Sequence, residues 1–173
     1  VVDHFAAFGL EPAGKEDWFQ SFPFTKGVKV GEKNRLRSSA EDSSPYELDK
    51  DWRPITFSQS GISQAEKVIF AGYGLRTPKS EDWPEYDSYV HLDVKDKWVM
   101  VLRYLPNGWE KKRRDKLWNH AALRKKAAIA RDLGAAGIIF VTGPKAKERK
   151  ELVNFSSDSS AGISLAAVSV SDK

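Results

Sequence analysis

The 173-residue sequence contains no cysteine. That excludes disulfides, cysteine-ligated zinc and a thiol nucleophile. No apolar run approaches the roughly 20 residues that a membrane-spanning helix needs, so no membrane span is predicted. Histidine is scarce. The three copies, His4, His91 and His120, form no HExxH pair. The sequence opens on Val1 with no charged-then-apolar leader, so no signal peptide is read within it. What is present describes a folded chain: 40% hydrophobic, 30% charged and 12% aromatic residues exclude wholesale disorder. The length suits one domain with a real core, or one domain plus a tail.

The net charge of +4 is unevenly spread. Glu110 to Lys116 reads EKKRRDK, five basic and two acidic residues. Lys145 to Glu151 reads KAKERKE, four basic and two acidic. These two runs hold more positive charge than the whole chain, so the remainder is close to neutral. Two solvated surface loops are expected from this pattern, and no nucleic-acid partner.

Hydrophobic periodicity orders the rest. Val2, Phe5 and Phe8 fit the end of an amphipathic helix closed by Gly9. With no N-cap, this fragment predicts a longer parent, as does the apolar run Ile163 to Val170, which lacks a closing element. WFQSFPFTKGVKV reads as extended. A short strand is expected near Asn34 to Ser38, an edge strand at Trp52 to Ser58 because of Pro54, and a strand at Lys67 to Ala71. Tyr89 to Asp93 is read as a short extended piece. Lys97 to Tyr104 (KWVMVLRY) predicts a strand buried on both faces. Residues 106–118 read as polar loop. Asn119 then caps a helix whose stripe is Leu123, Ala127, Ala130 and Leu133, with Arg124, Lys125, Lys126 and Asp132 facing water. Gly134 ends it, and Gly137 to Thr142 forms a second buried strand. Strand, helix and strand with short joints make a βαβ crossover, so the two strands should run parallel.

Candidate chemistry is thin. His91 and Asp93 in VHLDV would share one face of a strand, yet hydrolytic zinc needs at least three protein ligands; no metal site is predicted. GISLA at Gly162 lacks the second glycine of a nucleophile elbow. GYGLRT at Gly72 lacks the third glycine of a dinucleotide loop and is read as a turn. Glu81, Asp82, Glu85 and Asp87 match no calcium-loop spacing and are read as a solvated loop. Asn154-Phe155-Ser156 satisfies a glycosylation sequon. No catalytic residue is assigned. Tryptophan with nearby arginine is what binding surfaces are made of, so Trp83, Trp109, Arg113, Arg114 and Trp118 are the candidate binding residues.

Three stretches carry a resemblance: VIFAGYGL at Val68, YDSYVHLDVKDKWVMVLRYLP, and HAALRKKAAIARDLGAAGIIFVTGP. Together they resemble a protease-associated domain, of the version inserted in secreted co-catalytic di-zinc aminopeptidases. The GAAG-plus-apolar strand after an Ala-rich helix is the most specific part. AAFGLEPAG and WFQSFPFT are similar to the segment that precedes the insertion. The resemblance implies that residues 1–30 belong to the peptidase body and 31–173 to the inserted domain. The family's zinc ligands lie in that body, beyond the insertion, so none is carried over to His91 or Asp93. Zinc is expected only in the missing peptidase domain. EKKRRDK ahead of the helix departs from many relatives.

The expected fold is α/β and β-rich: a small open barrel or sandwich with flanking helices and one βαβ crossover. The expected function is non-catalytic. The domain would cover the cleft of a secreted or periplasmic zinc exopeptidase, with the parent peptidase domain and peptide or protein substrates as partners. The alternative is a stand-alone carbohydrate- or ligand-binding module using Trp83, Trp109 and Trp118.

Overall fold

The structure, a computed structural model, describes residues 1–13, 18–24, 26–38, 44–143, 152–157 and 162–171. The second basic run, 145–151, lies outside them. Helix α1 spans Val2–Ala7. Strands β1 (Trp52–Pro54), β2 (Val68–Phe70), β3 (Arg76–Thr77), β4 (Tyr86–Asp87) and β5 (Trp98–Leu102) follow. Next come α2 (Lys111–Leu117), a 3-10 turn at Trp118–Ala121, α3 (Leu123–Asp132), β6 (Gly137–Val141) and β7 (Ala166–Val170).

Five strands form one mixed sheet in the order β1-β7-β6-β5-β2, and β3-β4 form a small antiparallel pair. Strands β2, β5, β6 and β7 are parallel to their neighbours, while β1 is antiparallel to β7. The expected crossover is present: β5 and β6 pair in parallel, joined through the helices. Pro54 lies on an edge strand, as its missing N–H requires.

The core follows the two-residue period of the strands. Val99 and Val101 of β5 stand beside Ile138 and Phe140 of β6, and Ala167 of β7 continues the row. All five are fully buried. Ala127 and Ala130 of α3 close over the same cluster, joined by Ile55, Phe57, Ile163 and Leu165. Small alanines let the helix backbone approach the sheet closely. Gly137 has a similar reason. A Cβ there would lie 2.5 Å from the Trp98 indole of the register partner, so the ring rests on bare backbone.

Several expectations are corrected. β5 is buried on one face only: Trp98, Met100 and Leu102 are half-buried, since the helices cover the other side of the sheet row. Residues 111–117 are helical and not loop, the turn of basic residues being held against the acidic segment 82–87. Asn119 lies inside the 3-10 turn, and Ala122 precedes α3. Asn34 to Ser38 makes one bridge, Leu36 to Tyr46, in place of a strand. Tyr89 to Asp93 forms no strand: residues 88–91 make a turn, with His91 at φ 63°.

Candidate functional site

Parallel strands aim their carboxyl ends at one rim of the sheet, where loops are free to build a site. Here the rim gathers Gly72-Tyr73-Gly74 after β2, Arg103-Tyr104 after β5 and Thr142-Gly143 after β6. Both glycines flanking Tyr73 have positive φ, 53° and 61°. At Gly74 a Cβ would fall 2.6 Å from Val101 Cγ1, so side-chain volume is barred there. The Gly72 carbonyl accepts from the Leu102 N–H at 2.7 Å, pinning the turn to the end of β5.

Lys126 organises this rim from beneath. It is fully buried, although its residue type belongs in water. Its Nζ donates to the carbonyls of Leu102 at 2.8 Å and Tyr104 at 2.7 Å. The ammonium stands 6.0 Å from the centre of the Tyr73 ring. Burial pushes its pKa down to about 7. The two carbonyls act in the opposite sense, because donation to them favours the charged form. The clamp also holds Tyr104 in a left-handed backbone conformation, φ 68°, which a β-carbon disfavours.

Above the clamp lies a cavity of about 230 Å³ lined by Arg103, Tyr104, Trp118, Asn119, Ala121, Ala122 and Leu123. The Arg103 guanidinium sits 5.2 Å from the Tyr104 ring centre and Nη1 donates to Thr142 Oγ1 at 3.4 Å. Trp118 is 60% exposed, an unusual position for so large an apolar ring. His120, nearby, has its pKa lowered by burial and by Lys125.

The five predicted binding residues divide. Trp83, Trp109 and Arg113 come together: the Arg113 guanidinium lies 3.9 Å above the Trp109 ring, and Tyr86 meets that ring edge-on at 5.2 Å between centres. Lys112 and Lys116 stand 5.8 and 5.4 Å from the Trp83 ring centre and share Asp82. These aromatic faces are therefore occupied by the chain's own cations, and the basic helix by its own acidic loop. Trp118 belongs to the separate rim cavity. Arg114 is half-buried on α2. Arg103, Tyr104 and Lys126 were not among the sequence candidates. A signal for Lys126 exists: it lies three residues after Leu123 and four before Ala130, within the apolar stripe of α3.

His91 and Asp93 do not share a strand face. Asp93 accepts from Lys97 Nζ at 2.6 Å and from the Lys95 N–H, which lowers its pKa. Asp87 is held by Arg76 and by the Tyr89 N–H. Among the described residues no group of three or more His, Asp or Glu is placed to hold a metal, and no helix is long and apolar enough to cross a membrane. GYGLRT leads into β3 and not into a helix, so its glycines serve the turn. Comparisons with protein-family models, curated proteins and solved structures find no match for this chain.

Proposed function

We propose that this chain is a non-catalytic accessory domain of the protease-associated type, seated over the cleft of a zinc aminopeptidase-like parent, where it limits access and holds peptide. The observation that carries this reading is the row of apolar side chains at the start of the chain. Phe8, Phe19, Phe22 and Phe24 are 72–80% exposed, and Leu10 is 55% exposed. They lie outside the core cluster, whose members run from Ile55 to Ala167. Solvent-facing aromatics of that number mark a surface that another body covers. In this reading residues 1–30 dock on the parent, 31–173 form the inserted domain, and the mixed sheet is the wall of its small open barrel. Secretion and dependence on the parent's zinc follow from the same resemblance.

The test combines stability with turnover. Replacing Phe8, Phe22 and Phe24 together by Ser should shift the unfolding free energy by less than about 0.5 kcal/mol, as for surface positions, while lowering binding of a hydrophobic dye. Zinc-loaded chain should not hydrolyse an aminoacyl chromogenic substrate. A loss above about 2 kcal/mol would place those rings in the fold, and measurable turnover would make the chain an enzyme; either result overturns the reading.

A further inference from the structure

Along a strand, alternate residues turn their N–H and carbonyl groups to opposite sides, so a strand at the margin of a sheet leaves every second residue without a ladder partner. Strand β2 is such a margin. Toward β5, the Lys67 carbonyl accepts from the Trp98 N–H at 3.0 Å, and the Ala71 N–H donates to the Met100 carbonyl at 2.9 Å. Lys67, Ala71 and Ile69 between them thus face β5. The N–H and carbonyl groups of Val68 and Phe70 point away from it, and among the described residues they have no backbone partner. Their side chains are 53% and 56% exposed, on the sheet face opposite to Ile69, which packs against the core. The other margin of the sheet is closed by the chain itself. There the Asp49 N–H donates to the Trp52 carbonyl at 2.8 Å and the Trp52 N–H to the Glu47 carbonyl at 3.4 Å, while Pro54 has no N–H to offer. Val68-Ile69-Phe70 holds neither a charge nor a proline, the usual devices that keep an edge from pairing.

We infer that a second copy of this chain docks on that margin, β2 against β2, antiparallel about a two-fold axis through Ile69. The unpaired groups recognise an extended backbone, which offers donors and acceptors at the same two-residue spacing. The axis sets Val68 opposite Phe70 of the second copy, and Phe70 opposite its Val68. Each pair exchanges two bonds, so every outward N–H and carbonyl of the two residues is used. Each pair also sets a β-branched side chain against an aromatic ring, a favourable cross-strand match. The flanking charges do not collide: in this register Glu66 meets Gly72 and Lys67 meets Ala71 of the second copy. This self-complementarity selects a second copy over an unrelated strand. Because the far margin is closed, the pairing stops at two chains and does not grow into a fibre. The contact is short, so the dimer forms as concentration rises and is not obligate.

Sedimentation velocity on the full chain over a concentration series tests this. The apparent mass should rise from one chain toward two, and amide exchange at Val68 and Phe70 should slow in step with it. Two double variants supply the decisive comparison: Val68→Lys with Phe70→Lys, and Val68→Glu with Phe70→Glu. Both positions are more than half exposed, so the urea midpoints should stay close to that of the wild type. Alone, each variant sets like charges opposite one another and should remain monomeric. Mixed in equal amounts, the two should recover the two-chain species, since each introduced lysine then meets an introduced glutamate. Added salt should weaken that mixed species. A wild type that stays monomeric throughout the series overturns the inference, as does a dimer that survives in the lysine variant. Loss of the dimer in the Phe8, Phe22 and Phe24 to Ser variant also overturns it, by moving the contact to the N-terminal aromatic row. Failure of the two charged variants to pair with each other sinks the antiparallel register. The exchange measurement needs no substitution, and a dimer that leaves the Val68 and Phe70 amides unprotected overturns the site.

Discussion

Replacing Lys126 by Met probes the buried amine directly. Methionine keeps the length and apolar character of the stem and removes the charge and the donors. In the unfolded chain Lys126 titrates near 10.5, and burial in the folded chain brings this to about 7. Below pH 7 both states carry the proton, and the cost of burying the charge is present in full. Between about 7 and 10.5 the unfolded chain binds more protons than the folded one. Stability must then rise with pH. From the two pKa values, the rise between pH 7 and pH 9.5 comes to about 2–3 kcal/mol. The window avoids two other groups. Depression of the His120 pKa acts below pH 7. Tyr89, whose pKa burial raises, loses its contribution only above pH 10. Urea unfolding followed by tryptophan fluorescence at half-unit steps measures the effect. The wild-type chain should gain these 2–3 kcal/mol over Lys126→Met across the window. Parallel curves for the two proteins would show that the amine stays protonated or reaches water, and would refute the reasoning.

Gly74→Ala combines positive φ with a contact to Val101, and should lose about 2–4 kcal/mol in the same denaturation assay. Phe140→Ala removes a fully buried ring and should cost about 3–5 kcal/mol. Arg113→Lys gives up the planar stack on Trp109. It should cost about 1 kcal/mol and reduce the near-ultraviolet dichroism of the tryptophans, with the urea midpoint checking the first figure. His91→Gly relieves a left-handed histidine on the surface and should leave stability unchanged or raise it by up to about 1 kcal/mol.

The strands of the five-stranded sheet and their parallel crossover were legible because both depend on local signals, whereas the short pair β3-β4 falls in a stretch that reads as loop. Runs such as WVMVL and GIIFV are β-branched and flanked by turn residues, and the Ala-rich stripe of α3 recurs at helical spacing. The rim was harder. Charge type sent Lys126 to the solvent although its spacing put it among Leu123, Ala127 and Ala130, and only the position of two strand-end carbonyls shows what receives its protons. Helix α2 was hidden for a related reason. Its seven residues carry almost no apolar stripe, and partners 30 residues upstream, Asp82 and Trp83, hold it in place. His91 misled because VHLDV alternates like a strand, while the chain turns there and the Tyr89 carbonyl accepts from the Leu92 N–H at 3.0 Å.

The pairing of the 82–87 loop with α2 divides the molecule into parts of unequal toughness. Asp82 meets its two lysines at 3.5 and 3.9 Å in partial contact with water, and each such ion pair contributes no more than about 1 kcal/mol. The sheet relies on buried hydrocarbon, which brine does not weaken. A concentrated salt solution should therefore loosen the two Asp82 contacts alone, while the packing of Tyr86 on Trp109 and of Trp109 on Arg113 keeps the loop against the helix and the body stays intact.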